Sequence, residues 1–423
     1  MTPDAIRASV DERIAALQRA LDDTAVGRGG RALEYAAFLL GRLVADRDNA
    51  LKLIQAERGQ ADPIVEQITG RSTSEMMHVT LQDLEQLGIY IAMYGEAVGR
   101  TDLPVGLTDL IQTVVADLLQ QPPIGQSVDA LIRTVPGTRY GATLLRAEAH
   151  ATSFGPPLPV VFELPALDPA NMMLAPIIAH EAAHLVEKLA SLPTPDDAAN
   201  KQIRAIFHDL PVEAGENQTR VRQNWSQKLT DWSSEVLADL IATRLCGPSV
   251  LLALLAHAPS MPRTSTSHPP TLERARWVRN YLGDLGWDPF LEEHCPGVLS
   301  ELADQAQPQR SQEAAALVSA LEILLPWMKA AAGDRCCALQ PLEQERFAEA
   351  MKLLESEVPP VQLGGTADPI LPWHAILVAW AAALRQHGDS MTGLITAAAD
   401  RRRNAVVLKT VELSRVVTLW RDS

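Results

Sequence analysis

Aromatic side chains are scarce in this chain, at 4% of 423 residues. A core must therefore come mainly from Leu, Ala, Val and Ile, and the Ala- and Leu-rich segments punctuated by Pro point to packed helices. Positive charge is in deficit too: 37 Lys and Arg stand against 52 Asp and Glu, a formal net charge of −15. No long basic stripe occurs, which argues against nucleic acid as a partner, since phosphates require clustered Lys and Arg. Arg401-Arg402-Arg403 is the one local exception and reads as a solvated helix face. The four cysteines, Cys246, Cys295, Cys336 and Cys337, include no CxxC pair. Neither a disulfide framework nor a thiolate zinc site is expected, only the reduced thiols of a cytoplasmic protein. Long apolar runs are missing as well. Val250–Ala256 and Ala375–Leu384 fall far short of the ~20 residues that cross a bilayer. Met1–Ala15 interleaves apolar residues with Asp, Glu and Arg, unlike a signal peptide. The expectation is a soluble, cytoplasmic protein with no membrane span.

What remains is an ordinary globular mixture, 47% hydrophobic and 21% charged, long enough for more than one domain. Its pattern is mainly α with a small β-sheet. Residues 3–57 read as two amphipathic helices, and further helices are expected at Leu81–Gly99 and Leu107–Gln120. Strand signals come at Arg139–Glu148 and Leu158–Leu164, both bounded by Gly and Pro. A helix then contains Ile177–Leu189 with Pro176 near its start, and another runs from about Thr219 to Cys246, stopped by Gly247-Pro248. Helices are also expected over Leu272–Leu282, Glu301–Ala332, Leu342–Ser356, Trp373–Gln386 and Met391–Trp420. The predicted organisation is a helical N-terminal region, 1–130, a core, 131–296, and a helical C-terminal region, 297–423.

Within the core lies His180-Glu181-Ala182-Ala183-His184. Helical positions four apart lie ~40° apart around the axis and ~6 Å along it, so both imidazoles project from one face and can bind one Zn²⁺. Glu181, beside them, is placed to take a proton from the water such an ion activates. The alternative is two satisfied core histidines, which five residues alone leave open. Glu235 and Asp239, one turn apart among Val236, Leu237, Leu240 and Ile241, weigh against it. Like charges at that spacing destabilise a helix, and buried carboxylates require a metal or hydrogen-bond partner. Glu235 then reads as the third protein ligand, and Asp239 as the acceptor that orients a ligand histidine. His268, in Ser267-His268-Pro269-Pro270, is a candidate hydrogen-bond donor to an oxyanion, and Arg274 a candidate brace for a carboxylate. The plain alternative there is a Pro-rich turn leading into a helix.

Taken together, HEAAH, Glu-x-x-Ala-Asp about fifty residues on, and His-Pro-Pro with an Arg six positions after the His resemble the gluzincin metallopeptidases. The order is most similar to their CAAX prenyl endopeptidase and heat-shock membrane protease branch. The likeness covers roughly residues 158–282 and implies a zincin-like core. It implies zinc on His180, His184 and Glu235, Glu181 as general base, Asp239 behind the ligands, and His268 and Arg274 beside the active site. Those relatives are membrane proteins and this chain carries no comparable span, so their substrates are not implied with their chemistry. The resemblance also implies that a strand ahead of the zinc helix holds an extended peptide along its edge, which would assign Val160, Val161 and Phe162 to substrate binding. The reaction expected is hydrolysis of a protein or peptide, with a regulatory partner engaging the helical flanks. Two other classes fit the same residues: a non-catalytic zinc-binding helical interaction protein, and a metal-dependent enzyme that modifies a peptide without cutting it.

Overall fold

The computed structural model describes residues 103–120, 128–144, 158–166, 168–190, 195–211, 217–258, 268–305, 311–364 and 368–422, apart from single positions elsewhere. The helices expected in 3–57 and at Leu81–Gly99 lie outside this set. In chain order the elements are α1 (Val105–Val115, prolonged by a π-helical turn Ala116–Gln120), β1 (Val128–Val135), β2 (Gly141–Leu144), β3 (Leu158–Pro165), α2 (Pro176–Leu189), α3 (Asp197–His208), α4 (Gln218–Cys246) and α5 (Ser249–His257). There follow α6 (Thr271–Asp284), α7 (Asp288–His294), α8 (Pro296–Asp304), α9 (Gln312–Gly333), α10 (Gln344–Glu355), α11 (Pro372–His387), α12 (Met391–Ala398) and α13 (Arg401–Asp422). The expected class, mainly α with a small β-sheet, is the one observed.

Two compact units are present. The first includes Ser127–Thr134 and Thr143–Glu163, and so most of the sheet, whose strand order is β1-β3-β2. Val128, Ala130 and Ile132 of β1 are buried in alternation, the period of a half-buried strand. Arg133 of β1 donates through Nε to Glu163 of β3 at 3.0 Å. β3 is the central strand, paired on both sides, and its Val160, Val161 and Phe162 are buried. The expectation that Leu158–Leu164 holds a peptide along its edge meets an inner strand: β1 takes one side of β3, and the four-residue β2 takes part of the other.

The second unit comprises Leu103–Gln126, Val135–Ala142 and Leu164–Ser423 and contains every helix named above. It is organised around α4. Asn217 caps the start of this helix, its side chain accepting from the amides of Thr219 and Arg220, and Gly247 ends it at φ 61°, a conformation that other residues adopt at a cost. Its second half, from Glu235, is apolar on nearly every face and buried by α2, α6 and α9. α2 begins at Pro176, where the missing N–H costs nothing. The turn before it is held from far along the chain. Asn404 of α13 accepts from the Met173 amide at 2.9 Å, and the Trp380 indole of α11 donates to the Met173 carbonyl at 3.2 Å.

The helices beyond residue 296 therefore belong to the same unit as α2 to α7, and the division of the chain falls instead within the expected core, at the sheet. Two expected helices are each broken. Glu301–Ala332 divides into the end of α8 and α9, and Met391–Trp420 into α12 and α13. The second break is made by Asp400, whose carboxylate accepts from the Arg403 amide and starts a new helix. Arg401 and Arg402 are solvated as expected, whereas Arg403 is buried and donates to Gln386. All four cysteines are free. Among the described residues, α9 alone is long and apolar enough to cross a membrane by length and composition, with mean hydropathy 1.4. It carries no long uninterrupted apolar run, and it packs along α4 and α3.

Candidate metal centre

α2 and α4 lie side by side, and the facing residues are those the helical spacing selects. His180 and His184 share one face of α2 with their rings edge to face, centroids 4.8 Å apart, and their Nε2 atoms are 3.2 Å apart. Glu235 of α4 closes the triangle. Its Oε2 lies 3.4 Å from His180 Nε2 and its Oε1 3.3 Å from His184 Nε2. One donor atom from each of the three lies within 4.8 Å of the others, so the group could hold a metal ion.

The two carboxylates of α4 are compensated by Arg274 of α6, as their spacing requires. Its guanidinium donates through Nε to Asp239 Oδ2 at 2.7 Å and through Nη2 to Asp239 Oδ1 at 2.8 Å, and Nη1 lies 3.3 Å from Glu235 Oε2. Asp239 Oδ1 in turn sits 2.9 Å from His180 Nδ1, the nitrogen turned away from the donor triangle. His268 is about half exposed, with Nε2 3.2 Å from Glu235 Oε1. The structure thus brings together His180, Glu181, His184, Glu235, Asp239, His268 and Arg274. Val160, Val161 and Phe162, buried on β3, are not among the residues that line the cavity at this site.

The electrostatics follow from burial against charge. Burial opposes protonation of His180, but Asp239 and Glu235 outweigh it and push its pKa up to about 10 without an ion. Burial likewise disfavours the charged form of His184, while hydrogen bonding to Glu187 and Glu235 raises it. Burial alone would lift Glu235, yet His180, His184 and Arg274 hold it far below the usual carboxylate range. Asp239 is lowered by Arg274 and His180 against the same penalty. Glu181 differs from both: burial raises it, and the neighbouring imidazoles only partly offset that. Burial, aided by Arg274, lowers His268 despite Glu235, which leaves its ring neutral at pH 7.

A cavity of about 1620 Å³ opens onto the triangle, and Glu181 and His268 line it. Two features of this region carry no sign in the sequence. Ser234 lies 3.2 Å from His184 Nδ1 and donates to Glu187, a pair that sequence reasoning passed over because Ser and Glu on a half-exposed helix face are unremarkable. The C-terminal helices also contribute lining, through Ala314, Met391 and Ile395. No family model, curated protein or solved structure matches the chain.

Proposed function

We propose that this chain is a zinc-dependent metallopeptidase that uses Glu181 as general base. The observation that carries the reading is the convergence of three donors from two helices. The His180 and His184 Nε2 atoms are 3.2 Å apart, each faces one oxygen of Glu235 at 3.3–3.4 Å, and one donor atom from each residue falls within 4.8 Å of the others. Three protein donors also match catalytic zinc sites, which keep one position open, rather than structural sites closed by four. The order of the three motifs along the chain, similar to gluzincins, supports the same class.

When bound, the ion would lower the pKa of water towards ~7 and polarise a carbonyl oxygen. Glu181 accepts the proton of the attacking water, a role suited to a carboxylate whose proton affinity burial raises. As the C–N bond breaks, Glu181 passes that proton to the leaving amine. His268, neutral and partly exposed at the cavity, donates N–H to the oxyanion that forms at the carbonyl carbon. Arg274 and Asp239 hold Glu235 and His180 in place throughout. Sites for small ligands usually enclose ~300–1,000 Å³, and the cavity here, at about 1620 Å³, has room for a length of polypeptide.

The test is a comparison of wild type with Glu181→Gln. Both should bind one zinc, while the variant should turn over about 10²–10⁴-fold more slowly. A suitable substrate would come from comparing the proteomes of cells expressing each form, with products heavier by one water. Full turnover by Glu181→Gln would remove the general base and with it this mechanism.

A further inference from the structure

The two ligand histidines are held from behind by different chemistry. His180 faces Asp239, which the Arg274 guanidinium fixes with two hydrogen bonds. His184 faces a hydroxyl: its Nδ1 lies 3.2 Å from Ser234 Oγ, and Ser234 donates its proton to Glu187 Oε2. The three residues come from the same two helices that carry the ligands. Glu187 lies one turn beyond His184 on α2, and Ser234 immediately precedes Glu235 on α4.

The direction of this chain of bonds follows from proton counting. A carboxylate can only accept, and a serine hydroxyl has one proton to give. With that proton committed to Glu187, Ser234 Oγ can only accept from its other neighbour. His184 must then carry its proton on Nδ1, which leaves the Nε2 lone pair bare, and Nε2 is the atom that faces His180 and Glu235. The other oxygen of Glu187, Oε1, is buried without a hydrogen-bond partner, and the carboxylate also favours a proton on the His184 ring beside it.

From this geometry we infer that Ser234 and Glu187 are positioning residues, a relay that fixes the tautomer and ring orientation of His184 and so strengthens metal binding. The inference rests on the metal-site reading given above. Outer partners of ligating histidines typically contribute 10–100-fold in metal affinity. A hydroxyl relay is a weaker orienting device than a buried carboxylate braced by Arg, so the α2–α4 contact at Ser234 is the point at which affinity can change without loss of the fold.

The experiment uses the full chain and titrates Zn²⁺ against a chromophoric chelator, with thermal melting of the metal-free protein in parallel. Ser234→Ala should weaken zinc about 10–100-fold and leave the metal-free melting temperature unchanged. Ser234→Thr, which keeps the hydroxyl, should restore most of the affinity, and Glu187→Gln should weaken it several-fold. In the zinc-loaded wild type, nitrogen-15 NMR should find the His184 proton on Nδ1 in slow exchange, and Ser234→Ala should speed that exchange. Wild-type affinity in both Ser234→Ala and Glu187→Gln would overturn the relay and leave the metal site standing. Failure of the wild type to bind zinc would overturn both.

Discussion

Arg274 is 3% exposed and lies against two carboxylates one turn apart on α4. Removing one partner from a buried ion pair leaves an uncompensated charge, typically at a cost of about 3–5 kcal/mol. Arg274→Leu should therefore destabilise the metal-free protein by about that amount in denaturant unfolding, and a loss under about 1 kcal/mol would mean that Asp239 and Glu235 are satisfied some other way. At this scale most of the site was legible. Two imidazoles four apart on a helix must share a face, and two carboxylates among Val236, Leu237, Leu240 and Ile241 need a cation. Those rules pick out His180, His184, Glu235 and Asp239 without coordinates, and Arg274 comes from the order of motifs. Ser234 and Glu187 break no rule where they stand, so nothing in the sequence distinguishes them from solvated helix residues.

Among the elements, α11 does the most to place the site from a distance. Trp380 is fully buried and donates to the carbonyl of Met173, just ahead of α2. Trp380→Ala should cost about 3–5 kcal/mol in unfolding free energy and also weaken zinc binding, because the entry to α2 loses its anchor. If stability fell by that amount with no change in zinc affinity, the anchoring role would be wrong. The same helix carries a pH dependence. His374 Nε2 lies 2.7 Å from the Gln340 carbonyl, and burial holds its pKa below the ordinary 6.5. The unfolded chain takes up a proton near 6.5 that the native ring resists, so the stabilisation is complete above that pH and is lost as pH falls through the lower native value. Urea midpoints at pH 7.5 and 5 should therefore converge in part on His374→Gln. An unchanged gap would exclude this residue as a contributor to acid sensitivity. Element boundaries were read less well than element types. The apolar period runs straight from α12 into α13, and only the capping carboxylate of Asp400 interrupts it. β1 was not expected at all, because Leu131 on the outward face blurs its alternation, and Arg133 acquires its partner only when Glu163 of β3 is placed beside it.

For the molecule as a whole, the sequence suggested a core between two helical regions, and the packing places the C-terminal region in one unit with the helices of the site. α9 lies along α4, and α11 and α13 anchor the turn before α2. A chain ended at residue 305 would lose all three. It should have no cooperative thermal transition by circular dichroism and should retain no zinc, whereas a folded, zinc-binding fragment would establish that the C-terminal third is a separate domain. This dependence was not legible because helix period reports which face of a helix is apolar, and not which distant helix will cover it.

The high proton affinity of His180 has a use beyond the folded structure itself. With no ion present, a hydrogen ion on that imidazole supplies part of the missing positive charge beside Asp239 and Glu235. On the proposed metal-site reading, prolonged dialysis against a chelator should therefore yield a soluble, natively melting apoprotein. Cobalt would then enter the same place as a coloured reporter, so ligand geometry can be followed by visible absorption before any substrate is known.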